Sequence, residues 1–201
     1  MPVFQNLFLT LLESGSVNLV SIDPGSRFTG YCMIKCSIID KKLNKRIIKY
    51  GCFESKHSLL HDRCISINKQ FVRVVKDDDI DVIIFEQPSR AVYGDKKIKT
   101  SSYIAGRSAR LHYLYAVNYF LLSTVIRMNE RIKFSFVEPG KWQDKKAARK
   151  SGGSKKWSMS VATKILDKII DNDNTADAIC LGLISVNKIL KSEINLYSVN
   201  L

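Results

Sequence analysis

The sequence predicts an α/β domain, and three observations carry that expectation. Short apolar runs with strand character recur along the chain, and helical periodicities separate the later ones. Two of these runs, 17–23 and 80–85, lead into a carboxylate and then a chain-turning residue: Asp23 before Pro24-Gly25, and Glu86 before Gln87-Pro88. The length of 201 residues, 45% of them hydrophobic, is enough for one substantial core.

The elements follow in order. Residues 1–16 carry a single charge, Glu13, which is too little basic character for a signal peptide. They read as a lead-in to a domain spanning 17–195. Residues 17–23 and 30–39 read as two antiparallel strands joined through Pro24-Gly25. The polar run Asp40 to Lys45 is expected to be the next hairpin turn, with 46–53 as a third strand. From Ser58 to Lys76 the apolar residues Leu60, Cys64, Ile67, Phe71, Val72 and Val75 recur at helical spacing. Asp77-Asp78-Asp79 then reads as a solvated loop rather than a metal cluster. The buried strand 80–85 follows, and 133–137 makes a fifth. Between them, Ser101 to Met128 is the longest helical pattern. It is apolar on more than one face, which places it in the core or at a subunit interface. One helix starts at Lys155-Lys156 and runs to about Ile170, and another opens at the polar run 171–174.

A formal net charge of +13 points to a polyanionic partner, of which nucleic acid is the commonest. No apolar stretch reaches the length of a membrane span, and no membrane partner is expected. Arg27 lies beside the first turn. The segment 89–100, with Arg90, Lys96, Lys97, Lys99 and Tyr93, reads as a basic loop suited to phosphate contacts and base stacking. The segment 141–156 reads as a mobile basic loop around Gly152-Gly153, and its Lys141, Lys145, Lys146, Arg149, Lys150 and Lys155 are candidates to hold a phosphate backbone. The five cysteines are scattered without a Cys-x-x-Cys pair, as expected of buried thiols in a reducing compartment.

A carboxylate at the end of a core strand sits at the rim of a sheet, where it meets substrate, and the small residues after it admit a phosphate or a metal close to the backbone. Asp23 and Glu86 both have that setting. Asn174 and Asp177 are three apart and share one face at the start of the last helix. Asp173 is one position off that face and fits an N-cap. Carboxylates converging without a His or Cys cluster are hard oxygen ligands suited to Mg2+ or Mn2+. Two such ions about 4 Å apart stabilise both attack on and departure from a phosphodiester. A basic protein with such a site is most simply a metal-dependent nuclease.

Three runs, Ile22-Asp23-Pro24-Gly25 through Gly30, Ile84-Phe85-Glu86-Gln87, and Thr175-Ala176-Asp177-Ala178, resemble the RuvC-type Holliday junction resolvases, and most closely their viral (poxvirus-like) and mitochondrial branch. The resemblance spans about 18–190. Gly106-Arg107-Ser108-Ala109-Arg110 is similar to the start of that family's long helix, and Val137-Glu138-Pro139 with Lys156 resembles its strand followed by an active-site lysine. Lys155 is an equally placed rival. The resemblance implies a ribonuclease H-like fold, with a central mixed five-stranded sheet flanked by helices. It implies catalytic and metal-binding roles for Asp23, Glu86, Asn174 and Asp177, with Lys156 as the catalytic lysine and Arg107 added to the DNA-binding set. It further implies two Mg2+ or Mn2+ ions per site and a homodimer joined through 101–128. The implied activity is paired hydrolysis of four-way (Holliday) or branched DNA, leaving 5′-phosphates, in an intracellular setting such as a viral factory, the cytoplasm or a mitochondrion. One departure stands out: the family usually has an acid where this chain has Asn174. That motivates an alternative, a catalytically weak junction-binding protein of the same fold. Asp-x-Gly followed by Gly also resembles the first phosphate loop of actin-like sugar kinases, but no second Gly-rich loop or adenosine site accompanies it.

Overall fold

The computed structural model describes residues 15–25, 27–40, 42–88 and 101–198, with 101–110 described for their backbone alone. The strands are β1 (Ser16–Asp23), β2 (Phe28–Ile39), β3 (Lys42–Glu54), β4 (Val82–Glu86), β5 (Lys133–Val137) and β6 (Tyr197–Ser198). The helices, numbered in chain order, are α1 (Leu60–Val75), α2 (Ser101–Met128), α3 (Pro139–Trp142), α4 (Lys145–Lys150), α5 (Ser154–Leu166) and α6 (Asp173–Leu190). The strands form one mixed sheet in the order β3-β2-β1-β4-β5-β6. β1, β2 and β3 are antiparallel neighbours, β4 joins β1 in parallel, β5 joins β4 in parallel, and β6 closes the far edge antiparallel to β5. The sheet thus has six strands rather than the expected five. The sixth is the short Tyr197–Ser198, which lies past residue 195 and has no apolar alternation to announce it.

Both faces of the central strands are covered, which is why β1 and β4 read as nearly continuous apolar runs. Val17, Leu19, Val82 and Ile84 pack with Ile179, Cys180 and Leu181 of α6 and with Ala162 of α5. Val20, Ile22, Ile83 and Phe85 pack on the other face with Ile67 and Phe71 of α1 and with Val117, Leu121 and Val125 of α2. Among the described residues, no helix is long and apolar enough to cross a membrane.

Two expectations are corrected here. The hairpin after β2 is tighter than 40–45, because β3 already pairs with β2 from Lys42. Leu43 and Ile47 pack against the α6-side core, while Lys45 lays its stem along α6 and its Nζ donates to Asn187 Oδ1 at 2.9 Å. A lysine with a useful stem can occupy a half-buried strand position. The segment 141–156 is not an open loop but α3, α4 and the first turn of α5. Pro139 starts α3, Asp144 Oδ1 caps α4 by accepting from Lys146 N and Ala147 N, and Trp142, Ala148 and Trp157 are buried in the core. A proline at the first helical position and an aspartate cap were legible signals, masked by the density of lysines.

The cysteines Cys32, Cys36, Cys64 and Cys180 are buried and free, and Cys52 is half-buried and free. Burial pushes the Cys36 and Cys52 thiols up to about 11 and Cys180 to about 12. They act as small core fillers rather than nucleophiles. Of the acidic run 77–79, Asp78 pairs with Lys49 Nζ at 2.5 Å, and Asp77 and Asp79 are exposed.

Candidate active site

The parallel register of β1 and β4 aligns Ile22 with Phe85. The next residue on each strand is a carboxylate, so Asp23 and Glu86 leave the sheet side by side at its C-terminal edge, about one inter-strand spacing of 4.8 Å apart at the backbone. Alternation sends both toward the face that Leu19, Val82 and Ile84 share with α6.

What brings α6 onto that rim is a pair of glycines and a hydroxyl. Gly30, the cross-strand partner of Asp23, lies under the first turn of the helix, and a Cβ there would stand 1.9 Å from Asn174 O. A Cβ at Gly182 would stand 2.6 Å from Ser21 Oγ and 2.7 Å from Ile34 Cδ1. Ser21 Oγ donates to Ala178 O at 2.7 Å. The helix therefore rides close to β1 and β2 along its length and brings Asp177 to Asp23. Its N-cap is Asn172, whose Oδ1 accepts from Thr175 N at 2.9 Å and Thr175 Oγ1 at 3.1 Å. Asp173, the expected cap, is instead a first-turn residue whose carboxylate is ion-paired with Lys155.

The electrostatics show the crowding. Asp23 is only 8% exposed; burial first, then Glu86, Asp177 and Asp173, hold its pKa well above the ordinary carboxylate value, and Lys155 acts against that rise. Burial and then Asp177 push Glu86 up to about 7. The Trp142 indole N–H tempers that rise, although it falls short of a formed hydrogen bond. Asp177 rises to about 6, through burial first and also Asp173, with the Ser158 hydroxyl and Lys155 opposing. Behind Glu86, Asn118 Nδ2 of α2 donates to its carbonyl at 3.0 Å, and Tyr115 Oη donates to Pro88 O at 3.4 Å.

The structure thus brings Asp23, Glu86 and Asp177 together, with Asp173 close by. Asn174 stands in the same first turn, but its Nδ2 turns to Asp173 Oδ1 at 3.3 Å. Of the two lysines, Lys155 faces the carboxylates. Lys156 lies over the turn before α5, where a Cβ on Gly152 would stand 3.5 Å from its Cδ and 3.8 Å from its Nζ. Arg27, Lys141, Lys145, Lys146, Arg149 and Lys150 are all exposed. Arg90, Lys96, Lys97 and Lys99 lie outside the described residues, as does the side chain of Arg107. Sequence reasoning missed Ser158, Trp142 and Asn118. Each is an ordinary core residue in its own element, and only the packing of three elements sets Trp142 and Ser158 beside the carboxylates and Asn118 against the Glu86 carbonyl.

Among the described residues, no group of three or more His, Cys, Asp or Glu side chains is arranged to hold a metal ion. The donor chemistry nevertheless suits a hard divalent cation. Asp177 Oδ1 is buried without a hydrogen-bond partner, and the acids beside it raise one another's pKa. Oxygen donors with unspent negative charge are what such a cation requires.

No family model matches the chain, and no curated protein matches it in sequence. Solved structures do match in shape. RuvC of T. thermophilus in complex with a Holliday junction substrate superposes with a TM-score of 0.62 at 11% identity, covering 90% of this chain and 99% of that one. Fowlpox virus resolvase in complex with Holliday junction DNA superposes with a TM-score of 0.52 at 15% identity, covering 87% of this chain and 99% of that one. With its mixed sheet, strand-end acids and helix-borne Asp177, the chain has the ribonuclease H-like fold of the RuvC-type Holliday junction resolvases.

Proposed function

We propose that the protein is a metal-dependent endonuclease that cleaves four-way (Holliday) or branched DNA junctions by paired phosphodiester hydrolysis, leaving 5′-phosphates. The observation that carries this reading is the convergence of Asp23, Glu86 and Asp177 from β1, β4 and α6 at one rim, on a chain of charge +13. Asp23, Glu86 and Asp177, with Asn174 or Asp173, would hold the two Mg2+ or Mn2+ ions. When bound, such ions supply an activated water and offset charge on the scissile phosphate. The protein's own part is positional. Asn118 and Ser21 fix the backbones that carry Glu86 and Asp177. Burial of Asp23 strengthens the charge interactions that it makes in the site. Lys155, released from Asp173, would offset charge on the phosphate, a role the sequence assigned first to Lys156. The domain boundary at 17 and the reducing intracellular setting go with this reading. A homodimer would present two such sites to opposed strands. Tyr119, Phe120 and Met128 on α2 are exposed and would form part of its interface.

The test is cleavage of a four-way junction against a linear duplex, with Mg2+ and with chelator. Selective, Mg2+-dependent junction cutting is expected. Asp23→Asn should abolish it while binding is kept or strengthened, since the substitution removes a ligand and a negative charge near phosphates. Junction binding without cutting by the wild type would favour the alternative that Asn174 motivates, a catalytically weak junction-binding protein. Retained cutting by Asp23→Asn would remove Asp23 from the site.

A further inference from the structure

We propose that Trp142 is a positioning residue for Glu86: its indole N–H donates to the Glu86 carboxylate as the site takes up a divalent cation, and so sets the orientation in which that carboxylate meets the cation. This inference rests on the reading of the site as one for Mg2+ or Mn2+.

Strand register places the ring. Glu86 lies beside Val137 across the parallel β4–β5 pair, and Gln87 N donates to Val137 O at 2.9 Å. The chain then leaves β5 and turns at once into α3, whose last residue is Trp142. Ile84 is two residues before Glu86 and therefore on the same face of β4. It lies in one core cluster with Val137, Trp142 and Trp157. The indole is thus packed on the face of the sheet from which the Glu86 side chain projects.

Trp142 is 2% exposed, and among the described residues its buried Nε1 has no hydrogen-bond partner. A buried donor left unpaired costs free energy that a phenylalanine in the same slot would not, and in a native core it calls for a reason. At the same rim Asp177 Oδ1 is a buried acceptor, also without a partner, so the site holds polar groups whose bonds are still to be made. Against burial and Asp177, which raise the Glu86 pKa, the Trp142 N–H favours the charged carboxylate. The donor is therefore aimed at Glu86. Its bond is completed when that group carries its full charge, because hydrogen bonds to ionised acceptors are the strong ones.

Both ends of the contact are held. Asn118 Nδ2 donates to the Glu86 carbonyl at 3.0 Å, which fixes the backbone while the carboxylate beyond it can still turn. On the other side, the Trp142 ring packs beside that of Trp157, with centroids 6.3 Å apart and planes at 34°. Gln143 N donates to Pro139 O at 2.9 Å, closing α3 behind the ring, and Asp144 caps α4 two residues on. A donor held in this way needs little further ordering to engage. Groups that hydrogen-bond a ligating side chain orient it toward the metal, and losing one typically costs about 10- to 100-fold in metal affinity or activity.

The test replaces Trp142 site-specifically by benzothienylalanine, which keeps the shape of the indole and puts sulfur where the N–H stands. Trp142→Phe is the companion variant. Calorimetry on the full chain without DNA reads Mg2+ uptake, and cutting of a four-way junction is titrated against Mg2+. Both variants should need about 10- to 100-fold more Mg2+ for half-saturation and for half-maximal cutting. In chelator the Tm of the benzothienylalanine variant should stay near that of wild type. A merely structural role would instead lower Tm and leave the Mg2+ midpoints in place. The chain has two tryptophans, so Trp157→Phe leaves Trp142 as the single indole emitter. Its fluorescence should change over the same Mg2+ range as the calorimetric uptake. Wild-type Mg2+ midpoints in the benzothienylalanine variant, or a Trp142 emission that ignores Mg2+, overturn the proposal alone when the wild type binds Mg2+. A wild type that takes up no Mg2+ overturns the divalent-cation reading and this proposal with it.

Discussion

Glu86 has an ordinary pKa of 4.5 that burial and Asp177 push up to about 7, and Asp177 moves from 3.8 to about 6. Asp23 moves in the same direction. In the window between these values the folded protein binds more protons than the unfolded chain, so its stability falls as pH rises. Thermal melts in chelator should therefore show Tm dropping from about pH 5 to about pH 8, with Glu86→Gln flattening the drop. Added Mg2+ should restore Tm at the higher pH, because a cation replaces the lost protons. A Tm that rises with pH would contradict the crowding of these acids. Asn174 is the second residue-scale case. Lys155 occupies the Asp173 carboxylate, whereas Asn174 lies one turn before Asp177 with a neutral side chain. Asn174→Asp should thus raise cleavage at limiting Mg2+ by about tenfold, the effect of 1.4 kcal/mol in the barrier. Titration against Mg2+ should show this gain, with no loss in Asp173→Asn. A flat response in the first and a loss in the second would hand the position to Asp173.

At the scale of elements, the site depends on how closely α6 approaches β1 and β2. Gly30→Ala would drive a Cβ to 1.9 Å from Asn174 O, and backbone cannot yield as a flexible side chain does. The helix must lift, at a cost of about 1–3 kcal/mol or more. The expected outcome is a lowered denaturation midpoint together with loss of cutting larger than that destabilisation explains, because Asp177 moves away from Asp23. Cutting that merely tracks the folded fraction would show that the helix position is not critical. Much of this was legible before folding: the ends of β1 and β4, the face of α6 and the periodicity of α1 follow from local pattern. The helices α3 and α4 were not, since their lysines look like solvated loop until Trp142 and Ala148 are seen buried in the core. Nor was the N-cap, because Asn172, Asp173 and Asn174 are adjacent cap formers and only backbone geometry chooses among them.

At the scale of the whole molecule, the charge of +13 coexists with a rim of crowded acids, and the exposed cations of α4 stand on a different element from those acids. Lys145, Lys146, Arg149 and Lys150 are exposed along α4, a short helix rather than an open loop. Neutralising all four should weaken binding across DNA sequences and reduce the slope of log affinity against log salt by up to about 3.6, at about 0.9 per phosphate contact. Binding titrations over a salt series check this, and an unchanged slope would mean that α4 faces away from DNA.

The sequence alone determined the succession of strands along the chain up to β5, the two strand-end carboxylates and the basic charge, because each follows from short-range periodicity, turn chemistry or composition. Only the tertiary structure decided which acids meet and which lysine faces them. Those are matters of register and helix placement. Lys155 and Lys156 are neighbours in the chain but lie about 100° apart around a helix, and only the packing of α5 on α6 sets Lys155 against Asp173 and leaves Lys156 over Gly152.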